Sequence, residues 1–423
     1  MTTLTAAPPL KTPPFHLTGN YAPVSDEVTL HDLQVTGALP PELNGTYVRN
    51  GPNPRNGPTP IWFLGQGMLH GVRLQAGRAL WYRNRWIDAL TTSNTHVVRH
   101  AGKLLALVET ARPVVVSDEL ETLGPCDFDG ALTHGMTAHP KTCPSTGELL
   151  FYTYSLEPPF LTHYRADPSG ELTATVPIQV GKATYMHDFA ITPRHALFFD
   201  LPVLFNGWRE PMPIQWSDTY GARIGVLPRY GGGGDVRWFT ITACTISHTV
   251  NAYEEGNRII LDVVRGPRLE APTCLYRYTL DLRTGEAQEA RLDSLHVDFP
   301  RIDDRLTGQP HRYVYALELR DIVNGAPTSS LLRKFDLATH RSVAHDFGPG
   351  RVGGEAIFVP RLQSSDEDDG YAITYVYDGN RNASELIVLD AADFGAPALA
   401  TVLLPRRVPY GIHANWFPTG KAE

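Results

Sequence analysis

"ISHTVNAYEEGNRIILDVVR", residues Ile246 to Arg265, places a histidine at the head of a β-hairpin. TVNAY alternates apolar and polar residues, EEGN is a turn, and RIILDVV is rich in β-branched residues, so the stretch reads as two strands with a tight connection. The pattern recurs. His187 precedes DFAIT, the turn Pro-Arg and HALFFDLP; His139 precedes PKTCPSTGE and LLFYTYS; His70 precedes GVRLQ, AGR and ALWYRN. Asp298 and Glu355 hold the same place ahead of HRYVYAL and YAITYVYD, and His413 opens the closing segment ANWFPTG. These seven positions lie 48 to 69 residues apart.

A recurring unit of about 60 residues built from short strands, without helical periodicity, is the signature of propeller blades enlarged by loops. We expect an all-β fold, a seven-bladed β-propeller with a loop/helix cap over an axial site. A pair of β-sandwiches carrying scattered histidines is the competing arrangement. One domain is expected over residues 1–423, with 1–37 as an N-terminal extension packed on the propeller.

The innermost strand of each blade lines the central channel. One register position per blade therefore points at the axis, and His139, His187, His248 and His413 converge. Four neutral imidazoles suit iron, copper or zinc. Glu109, Asp298 and Glu355 can accept the ring N–H of three of them, fixing tautomer and orientation. His70 shares the register and stands as a rival ligand on spacing alone. A single histidine is more often a surface or hydrogen-bonded residue than a ligand; the matched register is what favours a metal. The acids read equally well as solvated turn residues.

Composition narrows the field. The 423 residues are 42% hydrophobic, enough for a core, and 37 Gly with 35 Pro imply many turns. A formal net charge of -8 without a basic run makes nucleic acid a poor partner. Cys126, Cys143, Cys244 and Cys274 show no CxxC spacing and suit a reducing compartment. The start, MTTLTAAPPLKTPPFH, carries no signal-peptide pattern, and no apolar run of about 18 residues exists. The expectation is a cytoplasmic protein without a transmembrane segment.

The stretches ELNGTYVRNGPNP, WFLGQGMLHGVRL, TAHPKTCPSTGELLFYTY, MHDFAIT and RRVPYGIHANW closely resemble the carotenoid cleavage oxygenases, over about Leu39 to Trp416. The resemblance implies a seven-bladed propeller with a dome, holding non-haem Fe(2+) through four histidines, here His139, His187, His248 and His413; His70 drops out. It implies Glu109, Glu355 and Asp298 as their acid partners, although relatives carry Glu where Asp298 stands. Thr95 matches a Thr beside an open iron position. Gln66 replaces a usual Asp, and Val108 stands where the stilbene-cleaving branch has a phenol-binding Lys. The implied reaction is O2-dependent cleavage of a conjugated C=C bond of a carotenoid or apocarotenoid into two carbonyl products. Stilbene or phenylpropene cleavage is the nearest alternative, a retinyl-ester isomerohydrolase a further one, and a non-catalytic binding propeller the last. Expected partners are a small lipophilic or aromatic alkene and O2.

Phe63, Phe205, Trp208, Trp216 and Trp416 are candidate apolar contacts for substrate, with core or lid packing an equal reading for each. Leu201 to Trp216, aromatic and broken by Pro and Gly, reads first as a lid loop and second as a peripheral membrane contact.

Overall fold

The computed structural model describes residues 14–206, 213–323 and 326–419. Seven antiparallel sheets succeed one another along the chain and form the blades of a β-propeller. Blade 2 runs from His96–His100 through Lys103–Leu107 and Val114–Val116 to Thr122–Pro125. Blade 3 spans Lys141–Thr142 to Leu172–Ile178, blade 4 Ala190–Ile191 to Arg237–Thr240, and blade 5 Thr245–Glu255 to Ala287–Arg291. Blade 6 covers Val297–Arg301 to Arg341–Asp346, and blade 7 Arg351–Gly353 to Ala400–Leu403.

Blade 1 closes the ring. Its central strands, Gly45–Pro52, Gly67–Gln75 and Arg78–Trp86, come from the N-terminal part, but its innermost strand is the C-terminal His413–Pro418, paired from Asn50↔His413 to Gly45↔Pro418. A second clasp lies outside: Gln34–Gly37 adds to the outer edge of blade 7 and Thr29–His31 to that of blade 1.

Burial follows strand position. Arg258–Gly266 in the middle of blade 5 is buried at every residue after the first, because both sheet faces meet neighbouring blades. The outermost strand of blade 3, Leu172–Ile178, alternates half-buried and exposed residues until its last. Apolar clusters fill the gaps between blades in turn, with Tyr47 and Tyr375 between blades 1 and 7, and Phe151 and Tyr164 between blades 2 and 3. Each fully buried Leu or Phe contributes about 1.5–3 kcal/mol.

Helix is confined, among the described residues, to single-turn 3-10 segments such as Trp62–Leu64. The helical part of the expected cap is therefore not found there. Between the second and third strands of blade 4 lies a two-stranded ribbon, Val203–Phe205 with Ile214–Trp216, within the segment read from sequence as a lid.

Closure depends on a close approach at Gly45, where an added Cβ would meet the Trp416 ring at 2.5 Å and the Phe417 carbonyl oxygen at 2.6 Å. Gly45→Ala is expected to destabilise the fold by about 1–3 kcal/mol. Gly234→Ala, where no atom lies within 4 Å, is the control. Urea denaturation of both variants checks this.

Candidate metal centre

Each blade contributes one residue to the axis. His139 and His187 sit just ahead of the innermost strands of blades 3 and 4; His248 lies inside that of blade 5, and His413 begins that of blade 1. Asp298 and Glu355 come from blades 6 and 7. Blade 2 supplies His96, which the sequence reading missed. His70, which it placed in the register, lies on Gly67–Gln75, two strands away from the axial strand, with its Nδ1 2.9 Å from the Tyr82 hydroxyl.

The four proposed ligands converge, with one nitrogen from each within 4.8 Å of all the others. His139 Nε2 is 3.1 Å from His187 Nε2, which is 3.3 Å from His248 Nε2. The opposite ring nitrogens are held by acids. His187 Nδ1 donates to Glu109, His248 Nδ1 to Asp298 at 2.6 Å, and His413 Nδ1 to Glu355 at 3.1 Å. With Nδ1–H given to a carboxylate, each of these three rings aims a bare Nε2 lone pair at the axis. His413 Nε2 is buried and finds no hydrogen-bond partner among the described residues. Lone pairs facing lone pairs at about 3 Å repel, and a cation between them turns the repulsion into coordination. His96 is different. Its Nδ1 meets the Ala138 carbonyl at 3.0 Å and its Nε2 the Asn415 amide at 3.2 Å, so both nitrogens are occupied and the ring packs beside His139 and His413 without joining them.

The surrounding charges fit a divalent ion. Glu355 lies 3.7 Å from the Arg301 guanidinium, and the buried Asp188 is paired with Lys141 at 2.8 Å. Glu109 and Asp298 have no Lys or Arg partner among the described residues. Glu109 accepts instead from the Tyr154 and Tyr185 hydroxyls, and Asp298 from the Ser247 hydroxyl and the Phe299 amide. Two uncompensated carboxylates balance two positive charges.

Asp298 reaches His248 despite its shorter side chain because the strand bulges between Asp298 and Arg301. The bulge puts Phe299 at φ 55 and its ring 5.5 Å from His248 and 5.6 Å from His413. Thr95 is buried and its carbonyl accepts from the His413 amide at 3.2 Å. Val108 is half-buried beside Glu109.

The aromatic candidates separate. Phe205 packs on Tyr154 at 5.3 Å and Tyr185 at 6.1 Å, the two tyrosines bound to Glu109. Phe63 is 49% exposed and leans on Trp62. Trp216 donates to Asp218 at 2.9 Å under the Arg268 guanidinium. Trp416 packs in the core between blades 1 and 7 and reaches the axial channel. Trp208 lies outside the described residues. Tyr154 and Tyr185 escaped the sequence reading.

Two cavities flank the centre. A channel of about 480 Å³ runs along the axis and is lined by His96, His139, His248, His413, Lys141 and Arg301 among others. A larger cavity of about 970 Å³ does not touch the four histidines; Tyr154 and Thr110 bound it on either side of Glu109, with Leu90 at its rim.

The family model for the retinal pigment epithelial membrane protein matches residues 21–91 and 87–418. A carotenoid cleavage oxygenase of Mycobacterium tuberculosis is 36% identical over 96% of this chain and 97% of its own. The crystal structure of Pseudomonas brassicacearum lignostilbene dioxygenase superposes with a TM-score of 0.90 at 29% identity, covering 98% of this chain and 100% of that one. The cobalt-substituted apocarotenoid oxygenase of Synechocystis gives 0.86 at 27% identity, covering 95% and 98%. This chain belongs to the carotenoid cleavage oxygenase family and is an oxidoreductase of the dioxygenase type.

Burial first, then the neighbouring imidazoles, holds His139 and His413 well below the ordinary histidine value. Burial likewise lowers His96 to about 3, His163 to about 4, and His70 well below its usual range. Burial pulls His187 down too, but the charge and hydrogen bond of Glu109 outweigh it and leave that ring raised. A histidine that is neutral in the fold but protonated when unfolded makes stability fall as pH drops below about 6.5. His187 contributes with the opposite sign. The metal-free protein is therefore expected to lose stability below about pH 6.5, by about 1.4 kcal/mol per pH unit for each neutral buried ring. Urea unfolding in chelator from pH 8 to 5 measures the slope. Asp298→Asn, which removes the carboxylate charge from His248, is expected to weaken divalent-metal binding about 10- to 100-fold, as read by titrating the metal-free protein with cobalt(II).

Proposed function

We propose that this protein is an iron(II) dioxygenase that cleaves one conjugated C=C bond of an apocarotenoid or carotenoid with O2, giving two carbonyl products. The observation that carries the reading is the convergence of His139, His187, His248 and His413 with three carboxylates behind them. Neutral imidazole donors suit iron(II), and the family membership supports that ion and an alkene substrate.

When bound, iron(II) supplies the redox chemistry that lets O2 react with an alkene. The chain supplies position and environment. Glu109, Asp298 and Glu355 orient three rings and keep their Nε2 atoms unprotonated toward the axis. Phe299, against His248 and His413, keeps water from one side of the centre. Tyr154, which with Tyr185 donates to Glu109 and packs under Phe205, also lines the larger cavity, which offers a route for an apolar chain. Exposed Leu90 and Leu156 stand at or beside its mouth, a surface suited to gathering lipophilic substrate from a membrane or carrier. No side chain is asked to move a proton: an alkene and O2 contain every atom of the two carbonyl products.

A second reading, stilbene or phenylpropene cleavage, is favoured by the TM-score of 0.90 to a lignostilbene dioxygenase. Val108 counts against it, because a valine cannot hold a phenolate. The described residues contain no helix long and apolar enough to cross a membrane. All four cysteines are free thiols, which supports a cytoplasmic location.

The test is anaerobic purification with iron, then exposure to 18O2 with an apocarotenal, a carotenoid, resveratrol and isoeugenol in turn. Two carbonyl products from a polyene, each carrying one labelled oxygen, are expected. Cleavage of resveratrol or isoeugenol alone would replace this reading by the second. His248→Ala is expected to lose bound iron and turnover together; full iron content in that variant would remove His248 from the ligand set.

A further inference from the structure

Three of the four histidines have a carboxylate on Nδ1, and His139 has none among the described residues. The motifs that carry it and its two neighbours also contain residues the function has left unused: Lys141 in AHPK, Asp188 in MHDF and Thr249 in SHTVNAY. The structure brings these three together. Asp188 is 2% exposed. One carboxylate oxygen meets Lys141 Nζ at 2.8 Å and also accepts from the Phe189 amide at 2.7 Å. The other accepts from both the amide and the hydroxyl of Thr249, each at 2.8 Å.

The placement has a consequence. Lys141 follows His139 by two residues and begins the innermost strand of blade 3. Asp188 directly follows His187 at the entry to blade 4. Thr249 directly follows His248 on the innermost strand of blade 5, which bulges on both sides of this pair. An innermost strand has no neighbour on its axial side to take its amides. One buried carboxylate takes the Thr249 amide and at the same time crosses to the strand of His139. It therefore fixes the relative register of three consecutive ligand-bearing segments, next to the ligands.

We propose that Asp188, tethered by Lys141, is a positioning residue of the metal centre that sets the spacing of His139, His187 and His248 through the segments that carry them, without touching the His139 ring. This rests on the four histidines holding a divalent ion. A buried ion pair is no guarantee of stability, since desolvation offsets much of the attraction. Its value here is geometric. Breaking it is expected to alter how the ligands meet the ion, beyond any effect on the fold.

The experiment titrates full-length, metal-free protein with cobalt(II), following the visible d–d bands, and records the melting temperature of each variant without metal. Lys141→Met and Asp188→Asn are expected to weaken cobalt binding about 10- to 100-fold and to shift the bands. Lys141→Arg is expected to restore both readings. Thr249→Val, with Thr249→Ser as its rescue, makes a smaller cut in the same network and decides the matter if the ion-pair variants do not fold. Wild-type affinity and an unchanged spectrum in the variants, with only a lower melting temperature, would overturn the proposal and leave the pair a support of the fold alone. If the wild type binds no cobalt while remaining folded, the metal reading itself falls and takes the proposal with it.

Discussion

Imidazole nitrogens meeting at 3.1 and 3.3 Å on the axis of a closed ring are the constraint on which the rest of this structure depends. Two such rings whose Nδ1–H is given to an acid, as in His187 and His248, repel unless a proton or a metal ion lies between them, and nothing in the local chain holds them there. The four rings come from four separate blades, between His139 and His413. What holds them is closure: seven blades packed through contiguous apolar clusters, with the C-terminal strand paired into the first blade. The tight contact of Gly45 with Trp416 belongs to the metal site as much as to the fold, because the strand that ends against Gly45 begins with His413.

The acids around the centre divide the work. Arg301 and Lys141 offset Glu355 and Asp188, so these two carboxylates serve mainly as hydrogen-bond anchors. Glu109 and Asp298 keep their charge toward the rings. That arrangement makes the centre near neutral with a divalent ion and short of positive charge without one, which favours a bound metal over an empty cluster of imidazoles. The pull of Glu109 on His187, opposite to the burial that lowers His139 and His413, shows the same field acting on a proton in place of a metal.

Much of this was legible in the sequence, because a propeller converts a repeat along the chain into a ring in space. The four ligands fell on one register, and the blade count followed from it. The error at His70 has a topological cause. The innermost strand of blade 1 is C-terminal, so His70 and His413 both belong to that blade, and blade 2 was left without an axial residue. His96, 43 residues before His139, falls short of the repeat, so spacing favoured His70, although His96 adjoins the Thr95 already singled out. Glu109 sits in a loop beyond the second strand of blade 2, off the register; it was named with Asp298 and Glu355 as an acid able to accept a ring N–H, and the family resemblance pointed to it as well. Tyr154 and Tyr185 were invisible because a phenol reaching a carboxylate 45 or 76 residues away in the chain leaves no spacing signal. The reach of Asp298 depended on a bulge with Phe299 at positive φ, a conformation that its side chain does not announce. Trp416, read from its motif equally as a substrate contact or a core residue, packs against the core beside the closing strand pair and also lines the axial channel.

One divalent ion among four Nε2 atoms on the propeller axis is what this arrangement of side chains requires. Crystals of protein loaded with iron under anaerobic conditions, measured on both sides of the iron absorption edge, test it directly. A single anomalous peak is expected within bonding distance of His139, His187, His248 and His413 and of no other side chain. A peak elsewhere, or iron-loaded crystals in which His96 or a carboxylate replaces one of the four, would contradict it.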